Sequence, residues 1–133
     1  MIDINCDLGE SSAFLASGHD ENLMQYIHSV NIACGFHAGD DFIMERTVEN
    51  ASKYKLNIGA HPGFNDKENF GRVDMELSEN QIIDLITVQL ENLKKNSGHL
   101  NHVKPHGALY NMSARRGDYA KAIAKAVHDF DSN

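Results

Sequence analysis

A chain of 133 residues is of single-domain length, long enough to bury a core without disulfide or metal staples. Its formal charge of −7 argues against nucleic acid and anionic membrane surfaces as partners, since both need a basic face. No apolar run approaches the ~20 residues of a membrane helix, and Met-Ile-Asp-Ile-Asn lacks the basic and apolar segments of a signal peptide, so the expectation is a cytoplasmic protein.

Taken in order, Ile2–Leu8 alternates apolar and polar residues and reads as a strand. The stretch 10–18 reads as a loop, and Asp20 as the N-cap of a short helix to about His28. Ser29–Cys34 is the second strand. Asp40 or Asp41 caps a helix to about Tyr54, with Ile43, Thr47, Val48, Ala51 and Tyr54 inward. Leu56–Ala60 is the third strand, followed by a long polar loop over 64–75 of the kind that carries function. Ser78-Glu79-Asn80-Gln81 is a capping box opening the clearest helix, with Ile82, Ile83, Ile86, Leu90 and Leu93 at helical period and Gly98 as its stop. His102–Lys104 is the fourth strand, and Ala108–Met112 adds a helical turn. Asp118 caps the last helix, with Ala120, Ile123, Ala124, Val127 and Phe130 inward.

The order βαβαβαβα implies one α/β domain over 1–133 with a parallel sheet and right-handed crossovers. Four such units also equal half of an eight-fold barrel. Ligands of parallel α/β folds bind at the carboxyl ends of the strands, and there the ionisable residues cluster.

Strand parity sharpens that placement. Ile4, Cys6, Val30, Ile32, Cys34, Ile58 and Ala60 share an aliphatic face; Asn5, Asp7, Asn31, His61, His102 and Lys104 share the opposite one. Buried polar groups without partners cost a few kcal/mol each, roughly, so this face must satisfy itself, water, a metal or a substrate. Asp7 and Glu10 also have a plainer reading as caps of a neighbouring turn, and His37 as a loop histidine bonded to backbone. Cys6 and Cys34 read as small buried hydrophobes, and His19, His28, His99 and His128 as surface residues. Arg72, in Phe70-Gly71-Arg72, is presented as for a carboxylate or phosphate.

Asn5-Cys6-Asp7-Leu8-Gly9-Glu10, the run 31–40 (NIACGFHAGD), Gly59-Ala60-His61-Pro62-Gly63, Phe70-Gly71-Arg72 and the run 102–111 (HVKPHGALYN) together resemble the LamB/YcsF family, over nearly the whole chain and in the expected order. The resemblance implies a TIM-like, irregular β/α barrel related to the glycoside hydrolase/deacetylase group, of which these residues supply the N-terminal half. It implies ATP-dependent hydrolysis of the 5-oxoproline lactam to L-glutamate by a 5-oxoprolinase, in which this would be the A subunit, with the B and C subunits as partners and ATP shared among them. Family members are longer, so the chain is expected to be a fragment or a truncated product, or to cover its open sheet edge as a homo-oligomer.

Opening a lactam needs an activated water, charge stabilisation on the carbonyl oxygen and a proton for the leaving nitrogen. Asp7, His37 and His61 are assigned as a metal-ligand or water-orienting set, by analogy with the Asp and two His of the deacetylases. Glu10 is the candidate base, Lys104 the group that stabilises developing negative charge, and His106 the proton donor. Asn5, Asn31, Asp40 and Arg72 are assigned to positioning substrate. The alternatives are a metal-dependent deacetylase or amide hydrolase that does not use ATP, and a non-catalytic scaffold of the complex.

Overall fold

A computed structural model describes residues 2–131. Four parallel strands, β1 (Asn5–Leu8), β2 (Ser29–Ala33), β3 (Asn57–His61) and β4 (His102–Val103), stand side by side in chain order. Cys6 lies opposite Val30, Val30 opposite Ile58, and Ala60 opposite Val103. Between and after them run α1 (Ser12–Ser17), α2 (His19–Met24), α3 (Asp41–Lys53), α4 (Glu79–Ser97), α5 (Gly107–Arg115) and α6 (Gly117–Asp131). The parallel βα architecture is the one expected of the sequence. Among the described residues the sheet stays open at β1 and β4 rather than closing on itself.

The core fills the space between the sheet and the long helices. Val30, Ile32, Ile58 and Ala60 meet Met44, Val48 and Ala51 of α3 and Ile82, Ile86, Leu90 and Leu93 of α4. Cys34, 1% exposed, belongs to this cluster, and burial pushes its thiol up to about 12, so it is an inert core residue. The α4 capping box forms as expected: Ser78 Oγ accepts from the Gln81 N–H while the Gln81 side chain accepts from the Ser78 N–H. Asp40 caps α3 through Oδ1 on the Ile43 N–H, 2.8 Å away.

Several boundaries differ from the sequence reading. β1 begins at Asn5, and Ile2 and Ile4 stand 83% and 53% exposed, although the Ile4 carbonyl still accepts from the His28 N–H. Ser12–Ser17, read as loop, is a helical turn and a half capped by Ser11 and stopped by Gly18. Asp20 does not cap α2; Gly18 starts that helix, Met24 ends it, and Asp20 turns inward. α5 runs nine residues instead of a single turn. In α6 the buried stripe is Tyr119, Ala122, Ile123 and Ala126, while Ala120 and Ala124 face outward. Alanine is a poor marker of the inner face, and the anchor is Tyr119, whose hydroxyl donates to the Met75 carbonyl and accepts from the Leu77 N–H.

Candidate active site

The alternation of β1 to β4 sends the polar residues to the face opposite that core, where they bond one another. Asn31 of β2 is the hub. Its amide NH2 donates to Asn5 Oδ1 and Asp7 Oδ1, each at 2.8 Å, and its carbonyl oxygen lies 2.6 Å from His102 Nε2. His102 reaches it by lying across Gly59 of β3, where any Cβ would collide with the imidazole. Asn31 is 1% exposed, so these bonds meet the cost of burying its amide.

At the carboxyl ends of the strands the face becomes a histidine cluster. His61 ends β3, His37 sits in the loop after β2, and His106 follows Pro105 beyond β4; all three are at most 6% exposed. His37 and His106 stack with ring centroids 3.7 Å apart and planes 7° from parallel. His61 meets His106 edge to face, with Nε2 3.0 Å from His106 Nδ1. His61 Nδ1 lies 2.6 Å from the Lys104 carbonyl and His106 Nε2 2.8 Å from the Phe70 carbonyl, so each ring has one nitrogen on a backbone acceptor. Glu10 Oε1 approaches His37 Nε2 at 3.4 Å, while His37 Nδ1 is buried with no partner. Burial pushes the His61 imidazole down to about 4, even with the Asp7 carboxylate pulling it up; burial and the neighbouring His37 lower His106 too. Gly71, at φ +63, closes the cluster from the 64–75 loop, because a Cβ there would strike the His37 Cβ.

Beside the cluster, Lys104 Nζ holds both carboxylate oxygens of Asp7, at 2.6 and 2.8 Å. Burial alone would raise the Asp7 carboxyl, but Lys104, His61 and Asn31 outweigh it and hold it below its ordinary value. Asp7, His61, Lys104, His106, Arg72 and Tyr110 line a cleft of about 510 Å³. Arg72 lies over the Phe70 ring at 5.4 Å and, among the described residues, has no carboxylate partner, whereas Arg46 and Arg115 each have one and Arg116 has two.

The structure therefore brings together Asp7, Glu10, His37, His61, Lys104 and His106, with Asn5 and Asn31 beneath them and Arg72 at the rim. Asp40 caps α3 and is not among the residues lining the cleft. One donor atom each from Glu10, His37, His61 and His106 lie within 4.8 Å of one another, a set able to hold a metal ion. Asp7, assigned to the metal from sequence, is engaged by Lys104 and Asn31 and lies outside that set of four, with Oδ2 3.4 Å from His61 Nε2. His106, assigned as proton donor, has its nitrogens directed at the Phe70 carbonyl and at His61. Two supporting residues were not anticipated. Gln89 of α4, fully buried, accepts from the Gly63 N–H and donates to the Gly63 carbonyl, fixing the turn after His61; a polar residue within the Ile82–Ile86–Leu90 stripe was the available signal. Asp20, 3% exposed, accepts from the Gly9 N–H at 3.0 Å and so holds the backbone next to Glu10.

The family model described as the LamB/YcsF family matches residues 2–133. A Bacillus cereus protein (strain 03BB102), named as the A subunit of 5-oxoprolinase, is 49% identical over 131 residues, 96% of this chain and 52% of the relative. A Staphylococcus epidermidis protein of the same name is 51% identical over 136 residues, 99% of this chain and 54% of the relative. Among solved structures, the lactam utilization protein from Thermus thermophilus superposes with a TM-score of 0.90 at 43% identity, covering 98% of this chain and 54% of that one. The chain spans about half the length of the curated relatives it matches.

Proposed function

The chain belongs to the LamB/YcsF family, and from that premise we propose that it acts as the A subunit of an ATP-dependent 5-oxoprolinase, opening the 5-oxoproline lactam to L-glutamate together with the B and C subunits. The observation that carries the reading is the convergence of Asp7, His61, Lys104 and His106 on one cleft at the carboxyl ends of parallel strands, with Glu10 in the histidine cluster that adjoins it.

A lactam resists water because its nitrogen is a poor leaving group and its carbonyl a weak electrophile. Transfer of the terminal phosphoryl group of ATP to the lactam oxygen answers the second difficulty. Water then adds to that carbon, the C–N bond breaks with a proton delivered to nitrogen, and a second water releases phosphate from the resulting acyl phosphate. Arg72, without a carboxylate of its own, receives the substrate carboxylate. Glu10, steadied by His37 Nε2, takes the proton of the attacking water. Lys104 reaches the cleft with its side chain 45% exposed and supplies the proton to nitrogen, Asp7 holding its ammonium in place. His106, with Nε2 on a backbone carbonyl, orients the cluster rather than donating to substrate. A divalent ion held among Glu10, His61 and His106 would supply polarisation of the carbonyl and a more acidic water.

The test is an assay of glutamate and phosphate formed from 5-oxoproline by the chain assembled with its partner subunits. Glutamate appears only with ATP and both partners present. Turnover without ATP, or acetate released from an acetylated sugar, replaces this reading with an ATP-independent amide hydrolase. A stable but inactive complex replaces it with a scaffold.

A further inference from the structure

The contact between His61 and His106 has a consequence for what occupies the site. The outer nitrogen of each ring faces a backbone carbonyl, His61 Nδ1 on Lys104 and His106 Nε2 on Phe70. A carbonyl only accepts, so both outer nitrogens carry the ring proton. A neutral imidazole has one N–H. The inner nitrogens, His61 Nε2 and His106 Nδ1, therefore present lone pairs to each other across 3.0 Å, with Asp7 Oδ2 3.4 Å from His61 Nε2 adding negative charge at the same point. Two opposed lone pairs at that distance repel unless a cation is shared between them.

We propose that this cation is a divalent first-row transition-metal ion, held by His61 Nε2, His106 Nδ1 and the Glu10 carboxylate. A nitrogen separation of 3.0 Å suits two ligands on one ion at the ~2.0–2.1 Å of a metal–imidazole bond. The ring planes cross at 85°, so the two lone pairs can converge on one point. Donation of the other N–H to a backbone carbonyl is the usual support of a metal-bound histidine. His37 falls outside the ligand set although it lies within reach. Its ring is parallel to that of His106, and lone pairs in two parallel stacked planes do not meet at one ion. Its place is to face Glu10 through Nε2. Two imidazoles and a carboxylate favour iron, cobalt, nickel or zinc over magnesium or calcium.

This inference goes beyond the lactam reading and does not depend on the substrate. It is tested by calorimetry on the chelator-treated full chain titrated with Zn²⁺, Co²⁺ and Mg²⁺, with the visible spectrum of the Co²⁺ adduct as a second readout. One equivalent of Zn²⁺ or Co²⁺ binds, Mg²⁺ does not, and the cobalt bands report nitrogen ligation. His61→Gln and His106→Gln each weaken binding beyond the ~10–100-fold cost of disturbing an outer-shell partner. Arg46→Ala, at an exposed ion pair of α3, leaves it within about twofold. Absence of saturable Zn²⁺ and Co²⁺ binding to the wild-type chain overturns the proposal and leaves a shared proton between the rings. Binding that survives both histidine substitutions overturns the ligand set. Should the histidine variants not fold, cobalt bands without nitrogen ligation in the wild-type adduct overturn it instead. Ion binding is read without turnover, so its failure is distinct from failure of the lactam assay.

Discussion

The two faces of the sheet are made from alternate residues of the same four strands, yet they are held by different forces. On one, Val30, Ile32, Ile58 and Ala60 meet α3 and α4 through apolar contact that tolerates small shifts. On the other, Asn31 bonds Asn5, Asp7 and His102, and Asp7 bonds Lys104, through partners that admit few substitutes. The apolar face supplies stability and the polar face fixes positions. Substitutions should therefore separate the two: damage on the first appears in unfolding, damage on the second in turnover.

The largest separation is expected at Lys104, whose side chain is 45% exposed. Lys104→Ala should lower glutamate formation by the assembled complex on the order of 10²–10⁴-fold, the usual range for a positioned acid or base. Its melting temperature should barely move, because an ion pair this exposed contributes little to stability. A variant with near wild-type turnover would remove Lys104 from the chemistry. Leu90→Ala is the converse. Leu90 is fully buried between α4 and the sheet, and its truncation should cost about 2–5 kcal/mol in denaturant unfolding. A loss under 1 kcal/mol, roughly the scale of a well-tolerated core swap, would mean that this face is loosely packed.

Gln89 joins the two faces, since it lies on the apolar stripe of α4 and reaches over to the turn that carries His61. Gln89→Leu keeps the volume but strands the Gly63 N–H and carbonyl. The expected cost is about 1–3 kcal/mol, with a further loss of turnover as His61 drifts. Unchanged unfolding would show that water replaces the amide.

What could be read from the chain and what could not follows the same division. Parity placed Asn5, Asp7, Asn31, His61 and Lys104 on one face because strand period depends only on counting. The capping box at Ser78 and the cap at Asp40 were legible because their partners lie three residues away. Contacts between distant segments were not. Nothing local marks Asp20 for the Gly9 N–H, eleven residues back, or pairs His106 with His61 across 45 residues. For the same reason the grip of Lys104 on Asp7, 97 residues apart, and the contacts of His106 with His61 and the Phe70 carbonyl are visible only in the folded chain. The helix Ser12–Ser17 has no sequence signature because six residues are too short to display a period.

Asp20 offers the smallest and most specific test of how the polar side is supported. It is 3% exposed, and burial raises its carboxyl above the ordinary value, partly offset by the Gly9 N–H and His19. An acid whose pKa is higher folded than unfolded holds its proton more tightly in the folded state, so stability declines as pH rises through and above the ordinary carboxylate range. Asp20→Asn keeps an oxygen to accept from Gly9 and cannot ionise. Its melting temperature should exceed that of the parent at pH 7, and the gap should narrow as pH is lowered toward 4. A variant less stable at pH 7 would show that the Gly9 bond needs the full carboxylate charge, and the backbone beside Glu10 would then be held by electrostatics rather than by a neutral hydrogen bond.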